Sequence, residues 1–206
     1  PKTFKYLFRL SQKMVAVFFQ LLVLFFVIFD PLASFIFFLV STSSMKEIER
    51  RRTAVFAVLV AAAISYAVLI FGQNLLTLFS TSIVEFQIAG GIILGVLGLK
   101  MVLGYSLVDV DKVKGDSSWA IASIIGTPLL TGPAAITSII VSVHDFGRLV
   151  TGLAVGTVLI GTLLLFYNAQ FMKKFFNRPL IQVTSTILGL ITLAWGVKYI
   201  LTGVGV

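Results

Sequence analysis

Phe29-Asp30-Pro31-Leu32-Ala33-Ser34 and Thr127-Pro128-Leu129-Leu130-Thr131-Gly132-Pro133-Ala134 decide the reading of this chain. Each lies near the centre of an apolar segment, about 14–41 and about 118–143, longer than the ~20 residues a spanning helix needs. A proline inside a helix removes a backbone hydrogen bond and clashes with the preceding turn. The residue before it is pushed out of helical geometry. Both segments are therefore expected to break in the middle, with Pro31, Pro128 and Pro133 making the breaks. Broken backbone within hydrocarbon is tolerated only where protein buries it or a watery cavity receives it. Two such breaks in corresponding halves point to the binding site of a transporter.

The composition agrees. Hydrophobic residues make up 58% of the 206 and charged residues only 12%, against roughly 25% in a soluble domain. Mean hydropathy is +1.07, so an integral membrane protein is expected, with the lipid bilayer as its surroundings. There is no cysteine and one histidine, His144. Disulfides and thiolate chemistry are excluded, and the ligands for a metal site or paired acid–base catalysis are lacking. No enzyme activity, cofactor or metal is expected. The net charge of +8 reads as positive-inside orientation rather than nucleic-acid binding. No cleavable signal is evident, and the start at Pro1 suggests that the natural beginning lies upstream.

Six apolar segments can be counted, at about 14–41, 53–73, 84–105, 118–143, 146–171 and 179–203. The polar stretch 106–117, with Asp109, Asp111 and Asp116, lacks calcium-loop spacing and reads as a linker. Gly91, Gly98, Lys100 and Leu103 recur 98 residues later as Gly189, Gly196, Lys198 and Leu201, while Pro31 and Pro128 are 97 apart. That shared offset predicts a duplicated three-helix unit, 1–105 and 118–206. Three is odd, so the second copy enters from the opposite side, giving inverted repeats. The expected fold is an all-α membrane protein of six transmembrane helices, with discontinuous first and fourth helices. The bases after segments one, three and five predict a cytoplasmic side there and both termini outside. The run Lys46–Arg52, with Glu47 and Glu49, reads as a solvated cytoplasmic loop, and a lipid head-group role is the secondary reading.

Asp30 before Pro31 has the form of a helix start, with Asp as N-cap and Pro at the first helical position. Thr127-Pro128 and Thr131-Gly132-Pro133 offer the second start. Two helix N-termini facing each other would carry free N–H groups suited to a carboxylate. The ends of the preceding half-helices would offer carbonyls to an ammonium, so a small zwitterion fits. Asp30 is the only carboxylate well inside a segment. At that depth it is a functional candidate, for an ammonium or a coupled proton, beside its capping role. Ser34, Thr131, Thr137 and Ser138 are read either as bundle hydrogen bonds or as substrate contacts. Ala89-Gly90-Gly91 with Gly95 and Gly98 forms a small-residue packing face.

These residues are similar to a known family. Asp30-Pro31, Phe86-Gln87-Ile88-Ala89-Gly90-Gly91-Ile92-Ile93-Leu94 and Pro128-Leu129-Leu130-Thr131-Gly132-Pro133-Ala134-Ala135-Ile136-Thr137 resemble the MarC family, also known as SnatA-type small neutral amino acid transporters. The resemblance implies inverted repeats, a glycine- or alanine-like substrate and coupling to a proton gradient. The substrate contacts expected from the two breaks are Asp30, Ala33, Ser34, Thr131, Gly132, Ala134 and Thr137. The family's first motif is similar to Asp-Pro-x-Gly-Asn-x-Pro. Here Ala33, Ser34 and Ile36 take the places of its glycine, asparagine and second proline, and Ala134 stands where a Gly-Pro-Gly would end. These departures bear on substrate choice. The expected function is a secondary transporter in the cell membrane. The alternatives are a channel for small solutes or ions and a non-transporting scaffold.

Overall fold

A computed structural model of the chain describes residues 2–104, 117–174 and 178–205, and every regular element among them is helical. The helices are α1 (Lys2–Phe29), α2 (Pro31–Ser41), α3 (Glu47–Leu78), α4 (Ile83–Val102), α5 (Ser118–Ile124), α6 (Pro133–Phe146), α7 (Arg148–Tyr167), α8 (Ala169–Met172) and α9 (Arg178–Val204). The expected linker 106–117 falls outside the described residues except for Ser117.

Five stretches are long and apolar enough to cross a bilayer. They are Gln12–Ser41, taken through its interruption, Glu47–Leu78, Ile83–Val102, Arg148–Tyr167 and Gln182–Val204. The segment expected as a further crossing is two shorter apolar helices, Ser118–Thr127 and Pro133–Phe146. The protein is thus an all-helical, multi-span membrane protein. Apolar side chains face outward all round it: Phe19, Leu59, Phe71, Ile92, Leu153, Ile160 and Leu190 are each more than half exposed. In water such a surface would be unfavourable; in lipid it is the solvated one.

One expectation is corrected at the start of α3. The run Lys46–Arg52 is not a loop: it is helical from Glu47 onward. Glu49 Oε2 accepts the Lys46 N–H at 3.3 Å, which satisfies a donor that the first turn leaves free. The next helix starts in the same way. The Ser82 N–H donates to Glu85 Oε2 at 2.7 Å, and the Glu85 N–H donates to Ser82 Oγ at 3.3 Å, a reciprocal capping box.

Two packing systems hold the bundle. In the first, α1, α2, α3, α5, α6 and α7 share a core containing Phe25, Phe29, Phe35, Phe38, Ile139 and Phe166. Phe38 of α2 stacks on Phe166 of α7, with centroids 4.7 Å apart and planes 10° from parallel. In the second, α4 lies along α9. A Cβ on Gly91 would stand 2.7 Å from the Gly196 carbonyl oxygen, and one on Gly98 would stand 2.6 Å from that of Gly189. The glycines therefore let the two backbones touch. Gly91 meets Gly196 and Gly98 meets Gly189, so α4 and α9 run antiparallel.

Candidate functional site

Asp30 separates α1 from α2. Its backbone is left-handed, with φ 39° and ψ 64°. Among residues with a Cβ, Asp and Asn tolerate this region best. The Asp30 carbonyl accepts the Ser34 N–H at 3.1 Å, and its Oδ1 accepts the Ala33 N–H at 3.2 Å. Pro31 at the first helical position has no N–H to satisfy. Asp30 is therefore the N-cap of α2, and only 5% of it is exposed. Its second oxygen, Oδ2, is buried without a hydrogen-bond partner. A buried carboxylate oxygen left in that condition is costly.

The second interruption differs. Thr127 is extended (φ −148°, ψ 117°), as the residue before a proline should be. Yet the helix does not restart at Pro128. The chain makes a wide turn over Ile125–Leu130, closed by the Thr131 N–H to the Gly126 carbonyl at 3.2 Å. Thr131 Oγ1 donates to the same carbonyl. α6 then begins at Pro133 with Gly132 as N-cap and no side-chain cap. Pro133 has no N–H, and the Ala135 and Ile136 N–H groups donate to the Gly132 carbonyl at 2.9 and 3.1 Å, so the Ala134 N–H is the one that this first turn leaves over.

The two interruptions meet in one cavity of about 190 Å³. Asp30, Ala33 and Ser34 line it from the first, and Leu129, Gly132, Pro133, Ala134 and Ala135 from the second. Ile28 and three residues of α4, Ile93, Leu97 and Met101, complete the wall. The volume lies below the ~300–1,000 Å³ typical of drug-sized sites, so the occupant is small. Among the apolar walls the polar contributors are Asp30, Ser34 and the start of α6, which has no side-chain cap. Ser34 Oγ is 3.5 Å from the Phe29 carbonyl, a long hydrogen bond at the end of α1.

Of the residues expected at the site, Asp30, Ala33, Ser34, Gly132 and Ala134 line this cavity, as does Pro133. Thr131 and Thr137 do not. Thr131 closes the wide turn, and Thr137 Oγ1 donates to the Pro133 carbonyl at 2.9 Å. Pro31 points to a separate apolar groove shared with Phe26, Thr157, Gly161 and Leu188. The wall from α4 was not anticipated. Ile93, Leu97 and Met101 recur every four residues, which is one helix face, but apolar residues at that spacing give no sign of lining a cavity rather than a neighbour.

Comparison with known proteins fits this architecture. The family model described as "MarC family integral membrane protein" matches residues 15–206. The UPF0056 membrane protein YhcE of Escherichia coli is 30% identical over 198 residues, covering 91% of this chain and 92% of that one. The UPF0056 membrane protein MJ1677 of Methanocaldococcus jannaschii is 31% identical over 187 residues, covering 87% and 91%. A UPF0056 membrane protein of Archaeoglobus fulgidus is 27% identical over 190 residues, covering 86% and 87%. No solved structure is a significant match. The match across nearly the whole chain, with an all-helical, lipid-facing fold, establishes that this chain belongs to the MarC family of integral membrane proteins.

Proposed function

We propose that the chain is a secondary transporter of small neutral amino acids, of the glycine, alanine or serine type, working by alternating access around the Asp30–Gly132 cavity. One observation carries the reading. Asp30, which carries a buried and unpartnered carboxylate oxygen, and the N-terminus of α6, which has no side-chain cap, line a single small cavity. The first suits an ammonium, by charge-assisted hydrogen bonding. The second suits a carboxylate, by the Ala134 N–H and the positive end of the helix dipole. A zwitterion with a short side chain satisfies both, and the apolar wall of Ile93, Leu97 and Met101 suits its methyl or hydrogen.

In this reading α1–α2 and α5–α6 act as two discontinuous helices, and the pair α5–α6 makes the sixth crossing. The units 1–105 and 118–206 are inverted repeats that rock against each other. The basic side bearing Lys46, Arg50, Arg51 and Arg52 faces the cytoplasm, with the termini outside, in the cell membrane. Asp30, relieved of the ammonium when substrate leaves, is the group that takes up a coupled proton.

The first test is a thermal-shift screen of purified protein against neutral amino acids. Binding to the folded state raises apparent stability, by about 2.7 kcal/mol at a hundredfold excess over Kd. A rise with one or two small zwitterions, and none with their amides or with the deaminated acids, is the expected result. The second is counterflow in proteoliposomes. Exchange of labelled against unlabelled substrate is expected of a carrier, and a channel cannot perform it. No response to any small zwitterion would remove the assignment.

A further inference from the structure

The first turns of α3 carry three consecutive arginines, about 100° apart around the helix, and the fold uses them differently. Arg50 turns back onto the end of α2. Its Nη2 donates to the Thr42 and Met45 carbonyls, each at 3.2 Å. Both carbonyls lie in the turn between α2 and α3, so Arg50 is structural. Arg51 pairs with Glu47 and lies over the Tyr167 ring, 4.8 Å from its centroid. Its Nε is buried and has no partner. Arg52 is exposed and has no hydrogen-bond or ion-pair partner among the described residues.

Between the last two lies a groove of about 370 Å³ lined by Ile48, Arg51, Arg52, Val55, Phe56 and Tyr167. Its deeper end is apolar. Phe56 stacks on Trp119 at 4.8 Å between centroids, and Trp119 and Leu59 are more than half exposed one turn further along. From Thr53 to Leu78, α3 carries no charged residue. The groove therefore straddles the level at which a spanning helix passes from water into hydrocarbon, where aromatic residues gather.

We propose that this groove is a binding site for an anionic phospholipid. The phosphodiester sits between the Arg51 and Arg52 guanidiniums, and an acyl chain lies along Val55, Phe56, Leu59 and Trp119. Guanidinium suits phosphate through its fork of donors. The head group supplies the acceptors that the Arg52 guanidinium lacks among the described residues, beside the 43% exposed side chain of Arg51. A free anion would use the arginines and leave the apolar strip idle, whereas a phospholipid uses both. Glu47 does not oppose the site, since its carboxylate is already paired with Arg51. The site is separate from the Asp30 cavity and independent of the transport reading.

The test uses tryptophan quenching. The chain has two tryptophans, Trp119 and Trp195. Trp195→Phe leaves Trp119, beside the groove, as the only reporter. Full-length protein in mixed micelles is titrated with phosphatidylglycerol or phosphatidylcholine, each brominated on its acyl chains. The expected result is half-quenching by the anionic lipid at a mole fraction at least fivefold lower, since one basic residue near a membrane surface is worth about fivefold in affinity. Arg52→Gln, which breaks no hydrogen bond or ion pair among the described residues, is expected to cut that preference about fivefold. Arg51→Gln with Arg52→Gln is expected to abolish it, and Lys13→Gln with Lys100→Gln, equal in charge lost, to preserve it. Equal quenching by the two lipids, or an unchanged preference in Arg52→Gln, overturns the proposal. So does displacement of the brominated lipid by millimolar inorganic phosphate, which would show the arginines reading a soluble anion alone.

Discussion

Gly98 and Gly95 lie one turn apart on α4, and replacing each with alanine should move stability in opposite directions. A Cβ on Gly98 would stand 2.6 Å from the Gly189 carbonyl oxygen, 2.6 Å from the Leu193 nitrogen and 3.0 Å from the Leu193 Cα. Comfortable contact is about 3.5–4.0 Å, so the shortfall is close to 1 Å. The obstructing atoms are backbone. They cannot rotate aside as a side chain can, and α9 as a whole must retreat. Overpacking of this kind costs about 1–3 kcal/mol, and alanine's helix propensity returns up to about 1 kcal/mol. The net is a loss of up to about 2 kcal/mol. A Cβ on Gly95 would meet nothing within 4 Å, so Gly95→Ala keeps the propensity gain without the clash. Because both changes are glycine to alanine inside one helix, propensity cancels in the comparison. What remains is the contact with α9, about 1–3 kcal/mol. At roughly 2–4 °C per kcal/mol for a chain of this size, the two midpoints should differ by about 2–12 °C. Far-UV circular dichroism during heating reads this, with both variants in one detergent at one scan rate. Gly189→Ala grades the test. Its Cβ would meet Met101 Cβ at 2.8 Å, the Gly98 oxygen at 2.9 Å and the Val102 nitrogen at 3.0 Å, slightly looser, so its loss should be smaller than that of Gly98→Ala. Gly98→Ala melting at or above Gly95→Ala would refute the close crossing.

Other perturbations separate the roles at the cavity. Asp30→Asn keeps an acceptor for the Ala33 N–H and tolerates φ 39°, so its midpoint should stay within a degree or two, as for changes of about 0.5 kcal/mol, while uptake in proteoliposomes falls away. Asp30→Ala loses the cap and sits in a strained backbone region, at about 1 kcal/mol for each, so it should melt about 4–8 °C lower; equal melting of the two variants would deny the capping role. Leu97→Trp should fill the cavity and abolish any thermal shift by a small amino acid, and a retained shift would place the ligand elsewhere. Gly90→Ala would drive a Cβ into Thr137 Cγ2; Thr137→Ser, which removes that methyl, should recover about 0.5–3 kcal/mol beyond additivity in a double-mutant cycle, and strict additivity would contradict the contact.

The first interruption was legible because a local rule sets it. An aspartate able to cap, followed by a proline suited to the first helical turn, leaves α2 little choice of starting point. The second was legible only in outline. Pro128 matches Pro31 in the 97-residue offset, but all it imposes is an extended Thr127. A later Gly132-Pro133 competes for the helix start and wins, because Gly126 can receive both the N–H and the hydroxyl of Thr131. Thr131 and Thr137 read as site residues for a similar reason. A threonine in or beside a helix always has a carbonyl four or five residues back within reach, and nothing in the sequence says whether its hydroxyl turns there or toward a ligand. The arginines of α3 hid in the opposite way. As a charge run they resemble any solvated segment, and only folding distinguishes Arg50, which holds the turn after α2, from Arg52, which has no hydrogen-bond or ion-pair partner among the described residues.

The glycines at the α4–α9 crossing bear most directly on how the halves relate. By sequence offset Gly91 corresponds to Gly189 and Gly98 to Gly196. By contact, Gly91 meets Gly196 and Gly98 meets Gly189. Two copies related by simple translation would pair like with like. Crossed pairing, in which the first residue of one copy meets the last of the other, is the mark of a two-fold contact. It is the pattern that the proposed inverted repeats require of helices lying across their axis. The same α4 carries Ile93, Leu97 and Met101 into the cavity wall. If the halves rock, this crossing is where they pivot, because bare backbone on bare backbone can slide where interlocked side chains would have to unlock. The methyl of Gly98→Ala should then slow exchange by more than its cost in stability explains. Gly161→Ala, on α7 with open space around it, should leave exchange unchanged. Equal exchange rates in the two variants would leave the crossing a packing device and nothing more.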